Sequence, residues 1–277
     1  MVEDSQIQTE DFSNYNGPGT ELRKAQLCMV EILKEIGKVC KRHNIAYWLD
    51  FGTLLGAVRH QGFIPWDDDA DITIFKRDAR RLEKFLLAEL PERYYVFSRK
   101  TDKKYRNTGY FRIVDKKTQM LKPGQDETEA VDYGNGVSVD IFNIERGHTW
   151  FKRAMNVIHG RAIRRIHNNI DDGLLNKTVS YIIFPFTWFV ILLYRIVVFI
   201  LPEDRYIYNI PNCVVKQMFS QRRKKYILPL NTVTFEGCEF PAPCNAHEML
   251  KETYGDYMQI PPKEKRATHG IFIKVLD

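Results

Sequence analysis

The chain is short of cysteine and holds no Cys-x-x-Cys pair; its five cysteines, Cys28, Cys40, Cys213, Cys238 and Cys244, are odd in number and scattered. That pattern excludes a disulfide framework and a structural zinc site, and it fits a reducing compartment. No basic stretch leads into an apolar run at the N-terminus, so the polar, acidic residues 1–19 read as a disordered tail and not as a signal peptide. No basic stripe interleaved with aromatics occurs either, so no nucleic-acid partner is expected. The formal net charge of +6 suits anionic partners without selecting one. What remains is a cytoplasmic protein of 277 residues, long enough for one elaborated domain with a sizeable core.

What the chain does have, in one place, is carboxylate. Trp66-Asp67-Asp68-Asp69-Ala70-Asp71 places four acids within five positions. If Asp69-Ala70-Asp71 opens a strand running to Phe75, the side-chain period of two sends Asp69 and Asp71 to one face. Hard oxygen ligands there can share one or two divalent cations, with Asp67 in reach from the approach loop. A bare acidic cluster is equally compatible with a solvated loop or a structural calcium site. The upstream Gly52-Thr53 favours the functional reading. A strand at 45–49 runs through this turn into a short helix at 54–60, exposing backbone N–H groups and a hydroxyl that suit phosphate.

Further along, 136–142 alternates like a sheet strand and puts Asp140 where an apolar residue could stand. A buried acid needs a cation or a hydrogen-bond partner, so Asp140 is a candidate third ligand, or else caps a turn or pairs with an arginine. Arg59, and Arg112 in an extended run at 109–114, are the cations placed to meet a diphosphate bidentately or to pair with loop carboxylates.

The rest of the pattern alternates helix and strand. A helix capped by Thr20 runs to about residue 43, with Ala25, Met29, Ile32, Ile36 and Val39 on its buried side. Asp78 is expected to cap a helix at 79–90. An extended run at 94–99, a polar stretch at 122–127, a hairpin around Glu236-Gly237, a helix capped by Asn245 and an edge strand at 271–275 complete an α/β or α+β core. Residues 181–201 are almost wholly apolar, with Arg195 the only charge, and are long enough to span a bilayer, which takes about 20 residues. An in-plane interfacial helix, flanked by Arg161, Arg164, Arg165 and Arg222 to Lys225, is favoured over a buried helix pair and over a spanning one.

The block from Asp50-Phe51-Gly52-Thr53-Leu54-Leu55-Gly56 through Gly62-Phe63-Ile64-Pro65-Trp66 to Asp71 resembles the LicD-type transferases, relatives of fukutin and the fukutin-related protein. Val139-Asp140-Ile141-Phe142 and Tyr254-Gly255-Asp256-Tyr257-Met258 extend the likeness, and Ala70 departs from it, standing where the family usually has a larger aliphatic residue. The resemblance implies an α+β fold, a nucleotidyltransferase-like mixed sheet flanked by helices. The likeness covers a catalytic core at 20–149 completed by 231–277; 150–230 carries no motif of the family and, from its apolar run, is expected to be a mostly helical, membrane-associated insertion. It implies transfer of a phospho-alcohol, phosphocholine or a polyol phosphate such as ribitol phosphate, from a CDP-activated donor to the hydroxyl of a glycan or lipid-linked glycan at the inner face of the membrane. On this reading Mg2+ (or Mn2+) is held by Asp69, Asp71 and Asp140 with Asp67, while Gly52, Thr53, Arg59 and Arg112 meet the donor phosphates. Two alternatives stay open, a nucleotidyltransferase moving NMP onto a protein or small molecule and a non-catalytic phosphoglycan-binding protein.

Overall fold

The computed structural model describes residues 10–102, 105, 109–121, 135–155, 158, 174–200, 204–208, 221–266 and 272–275. The polar stretch at 122–127, Cys213 and the arginines at 161–165 lie outside the described residues. The centre is a mixed sheet in which β1 (Tyr47–Leu49), β2 (Asp71–Phe75), β6 (Ser138–Arg146), β4 (Tyr110–Asp115) and β3 (Tyr94–Phe97) are neighbours in that order. Only the β2–β6 pair is parallel; the others run antiparallel. Near its C-terminal end β6 also pairs with β7 (Arg205–Tyr208), which pairs with the two-residue β8 (Arg222–Arg223). The expected mixed sheet flanked by helices is therefore present.

Helix α1 (Ser13–Asn16) is a single turn, and α2 (Glu21–Arg42) is the long scaffold helix. Thr20 caps α2 by accepting from the Arg23 amide at 3.2 Å, and all five apolar residues expected to face inward are buried. Together with α4 (Lys76–Glu89), α2 packs on the face of the sheet that carries Ile72, Ile74 and Ile141. Helix α3 (Phe51–His60) lies on the other face, where Phe51 meets Phe142 with ring centroids 5.2 Å apart. The sheet thus has one apolar face and one face on which charge can be exposed to a ligand.

Two helix starts fall earlier than the sequence implies. Helix α4 follows β2 directly and begins at Lys76, with Phe75 in the cap position offering no side-chain bond. Asp78 lies inside the first turn, buried, with Arg77 at 3.4 Å and Arg81 at 2.9 Å. Likewise α3 begins at Phe51, so Gly52 and Thr53 are helical residues, and the cap is Asp50, which accepts from the Phe51 amide at 2.9 Å. In both cases a residue with a cap-like side chain sits near the start but the packing of the preceding strand decides where the helix begins.

Residues 10–19, assigned to a disordered tail by composition, are docked. Phe12 and Tyr15 pack against Trp66, with centroids 6.0 and 5.7 Å away, and Glu10 accepts a two-pronged ion pair from Arg266 at 2.6 and 2.7 Å. Two aromatics in an otherwise polar stretch suffice to fix it. The segment 150–230 is not a separate insertion either, because β7 and β8 complete the main sheet. Between β6 and β7 stands α5 (Leu174–Ile200), of which residues Thr178–Ile200 are long and apolar enough to cross a membrane. It is not a core helix: Phe199 is 82% exposed, and Ile182, Phe186 and Ile200 are also exposed.

After the one-turn α6 (Lys224–Ile227) comes the expected hairpin of β9 (Asn231–Phe235) and β10 (Cys238–Ala242). Both turn residues are left-handed, Glu236 at φ 50° and Gly237 at φ 71°. Glu236 reaches back to pair with Arg23 at 2.6 Å and accepts from the Phe63 amide at 3.0 Å, clamping the loop that leads to the acidic cluster. Helix α7 (Ala246–Tyr254) is capped by Asn245 as expected, and β11 (Phe272–Val275) pairs with β5 (Thr118–Leu121).

Candidate active site

The parallel register of β2 and β6 sets Asp71 beside Asp140, and the antiparallel register of β4 sets Arg112 beside Asp140. All three point to the face that carries α3, because one row of a pleated sheet shares a side. Asp50 extends the row, its amide donating to the Asp71 carbonyl at 3.1 Å. Arg112 forms an ion pair with Asp140: Nη2 donates to Oδ2 at 3.2 Å, and Nε stands 2.6 Å from Oδ1. Burial pushes the Asp140 carboxyl up to about 6, Asp69 adds to that, and Arg112 pulls the other way.

The approach loop brings the remaining acids to this row. Asp67 lies against Gly52, where a Cβ would stand 2.7 Å from its Oδ2, so a side chain there would displace the Asp67 carboxylate. Gln26 of α2 holds the loop through the Asp67 carbonyl at 3.0 Å. Burial, then the charges of Asp69 and Asp68, hold the Asp67 carboxyl well above the usual carboxylate range. The same holds for Asp71, where burial is reinforced by Asp69, Asp140, Asp67 and Asp50. Asp68 is buried and Asp69 is exposed.

The carboxylates of Asp67, Asp71 and Asp140 resist ionising together, and a hard divalent cation is a chemical species that removes such a conflict. Among the described residues no three His, Cys, Asp or Glu side chains form a ready-made cage. An open set suits Mg2+, which commonly takes one or two carboxylates and completes its shell with water and substrate phosphate. On donor chemistry Asp67, Asp69, Asp71 and Asp140 therefore fit such an ion.

The other expected residues sit around this row in different ways. Thr53 is buried and its hydroxyl accepts from the Asp71 amide at 2.7 Å, which fixes the start of β2 against α3. Arg59 is buried too. Its guanidinium donates to the carbonyls of Tyr257 at 2.6 Å and Gln259 at 3.4 Å, and burial pushes it down to about 10. It thus ties the C-terminal Tyr254-Gly255-Asp256-Tyr257-Met258 motif to the helix of the first motif. His247 donates to or accepts from the Tyr257 hydroxyl at 2.9 Å, consistent with a structural role.

One part of the site corrects the sequence reading, which sets Arg222 beside the apolar helix as a cation for anionic lipid; it is buried and turned inward to a carboxylate instead. Asp50 is 1% exposed and accepts from the hydroxyls of Thr73 at 2.8 Å and Tyr208 at 2.5 Å, with the Arg222 guanidinium 3.7 Å away. Arg222, equally buried, donates to the Tyr208 hydroxyl at 2.8 Å and to Thr253 of α7, and lies 5.8 Å from the Phe51 ring centre. Asp50 belongs to the quoted motif and sits next to a strand of buried character, a signal that it needs a counter-charge. Nothing in the sequence identifies Arg222 or Tyr208 as the providers.

Replacing Arg222 by Met is expected to leave Asp50 buried without its cation and to cost about 3–5 kcal/mol of unfolding free energy, read by urea denaturation. The paired change Asp50→Asn with Arg222→Met is expected to cost less than Arg222→Met alone, because it removes the stranded charge.

The motif-bearing part of the chain, residues 44–159, matches the family model described as LicD/FKTN/FKRP, nucleotidyltransferase domain. Over 257 residues, 90% of this chain and 96% of the relative, the sequence is 30% identical to the lipopolysaccharide cholinephosphotransferase LicD of Haemophilus influenzae. It is 35% identical over 80 residues to the human ribitol 5-phosphate transferase FKRP, covering 26% of this chain and 16% of that protein. A shorter match, 46% over 63 residues, links it to an uncharacterized protein of Rickettsia prowazekii, covering 23% of this chain and 24% of that protein. Since a relative is matched over nearly its whole length and the family's nucleotidyltransferase domain over the acidic site, the chain belongs to the LicD family of transferases.

Proposed function

We propose that the chain moves a phospho-alcohol, with phosphocholine the first choice, from a CDP-activated donor to a glycan hydroxyl in a reaction that depends on Mg2+ or Mn2+. The observation that carries this reading is the row of Asp71 and Asp140 on adjacent parallel strands, completed by Asp67 and Asp69 from the loop. The near full-length similarity to a named cholinephosphotransferase supports the choice of alcohol. A bound divalent cation would supply charge neutralisation on the diphosphate and on the transferring phosphoryl oxygens. The protein's own part is position. Asp71 and Asp67 would hold the cation that retains the anionic donor, and Gly52 lets the α3 N-terminus and the Asp67 loop close together. Asp140, poised at about 6 and held rigid by Arg112, is placed to accept the proton of the incoming hydroxyl. The donor's phosphorus–oxygen bond to CMP breaks as the bond to the acceptor oxygen forms.

Helix α5 supports an acceptor presented at a membrane surface. Its buried residues Ser180, Thr187 and Val198 are seven and eleven positions apart, about two and three helical turns, so they form one stripe against the protein. The opposite side presents Ile182, Phe186, Phe189, Leu193 and Ile196 outward. A helix buried along one stripe and apolar along the other suits a position in the plane of the interface, with Arg195 at its margin reaching the headgroups. On this reading the site works at the cytoplasmic face.

Two expected outcomes test the proposal. At pH 7.5 without metal, Asp71→Asn should raise Tm by roughly 2–4 °C, the shift that about 1 kcal/mol makes in a chain of this size, while abolishing transfer and the thermal stabilisation given by Mg2+ with CDP-choline. The direction follows from linkage. Raised folded-state values mean the metal-free fold binds protons more tightly than the unfolded chain, so for Asp140 the penalty is absent below 3.8 and complete above about 6. Wild type should therefore lose stability as pH rises through that window, and an unchanged Tm for Asp71→Asn would count against the charge conflict. For the membrane, Phe189→Glu with Leu193→Glu should cut co-sedimentation with anionic vesicles at least about tenfold and leave CMP release with a soluble acceptor intact.

A further inference from the structure

On the far side of the sheet from the carboxylates, the first turn of α4, the segment after β3 and the start of β4 enclose a groove of 580 Å³ floored by Asn143 of β6. That volume is ordinary for a small-ligand site. Five cations line it, Lys76, Arg77, Arg80, Arg99 and Lys100, against one acid, Glu83. Glu83 is taken by Lys100, and Lys76 is held by Glu145 at 2.6 Å, but Arg80 and Arg99 are exposed and have no ion-pair partner among the described residues. The same wall carries the N-terminus of a 14-residue helix whose cap residue, Phe75, offers no side-chain bond. Its first amides and the positive end of its dipole add to the field of the arginines.

Asn143 gives the second, independent sign of a ligand. It is 6% exposed; its Nδ2 donates to the Gly109 carbonyl at 2.7 Å, while its Oδ1 is buried without a hydrogen-bond partner. An orphaned amide oxygen needs a donor. A phosphate dianion has no proton to give, but a sugar hydroxyl does. Tyr110 supplies a ring at the groove edge, and the same ring lies 5.8 Å from the guanidinium of Arg112, so it stands between the groove and the catalytic row.

We infer that this groove holds a phosphorylated sugar unit of the acceptor glycan, with the arginines and the α4 amides on the phosphate and Asn143 on a hydroxyl. Calling it an acceptor subsite rests on the transferase reading above; the groove's chemistry does not. Asn143 is three residues beyond Asp140 and on the opposite face of β6, so the unit bound here is not the one that reacts. The site would select oligosaccharides that carry an anionic sugar a short distance from the hydroxyl to be modified.

The test is titration of the full chain, without donor or metal, with glucose 6-phosphate, glucose and inorganic phosphate, followed by calorimetry. Glucose 6-phosphate is expected to bind more tightly than either of the others, and the double variant Arg80→Glu, Arg99→Glu, confined to two exposed side chains, is expected to weaken it by at least about tenfold. The same variant should raise KM for a phosphorylated acceptor while leaving kcat and CDP-choline binding unchanged. Binding that survives the charge reversal, or equal binding of glucose and glucose 6-phosphate, overturns the site; equal binding of phosphate and glucose 6-phosphate overturns the sugar contact. Charge-dependent sugar-phosphate binding in a protein that transfers nothing would uphold the groove and sink the transferase reading.

Discussion

The structure depends on putting carboxylates side by side in a sheet and giving each a different fate. Asp50, just past the end of β1, lies in one row with Asp71 of β2 and Asp140 of β6, and burial and neighbouring carboxylates oppose the ionisation of Asp71 and Asp140. Asp50 is neutralised from within by Arg222, Tyr208 and Thr73, and Asp140 is held by Arg112. Asp71 has no ion-pair partner among the described residues, and it is the one pressed hardest by its neighbours. The fold thus balances two members of the row and leaves the third without a counter-charge among the described residues, which on the proposed function is where a divalent cation would act.

Much of the peripheral structure serves this row. Glu236 at the tip of the β9–β10 hairpin clamps the loop before Asp67, Arg59 draws the C-terminal motif onto α3, and β7 returns from α5 to deliver Tyr208 to Asp50. Tyr194 of α5 accepts from the His148 amide at 2.6 Å, just past the end of β6, so the apolar helix is anchored to the strand that carries Asp140.

The sequence made legible those features that repeat locally. The period of α2, the hairpin around Glu236-Gly237, the Asn245 cap and the alternation in β6 all follow from spacing, and each is found where expected. The strand period places Asp71 and, across the parallel pair, Asp140, but β2 begins at Asp71, so Asp69 comes to them from the exposed end of the loop and not from the strand. What escaped depends on distance in the chain. Arg222 is 172 positions from Asp50, in a stretch with no motif, and only the β6–β7–β8 pairing brings it home. Helix starts escaped for a different reason: Asp78 and Thr53 look like caps but are drawn inside their helices by the strands that precede them, and their polar groups are used on Arg81 and on the Asp71 amide. The tail at 10–19 escaped because two aromatics docking on Trp66 outweigh a polar composition.

The most direct measurement is 31P NMR of the full chain with CDP-choline and a glycan acceptor, with Mg2+ added and then chelated. The account predicts that the two diphosphate resonances give way to the monoester of CMP and a new phosphodiester on the glycan, and that chelation stops the change. Diphosphate signals that persist, conversion that continues without a divalent cation, or a product that carries the nucleotide would each contradict it.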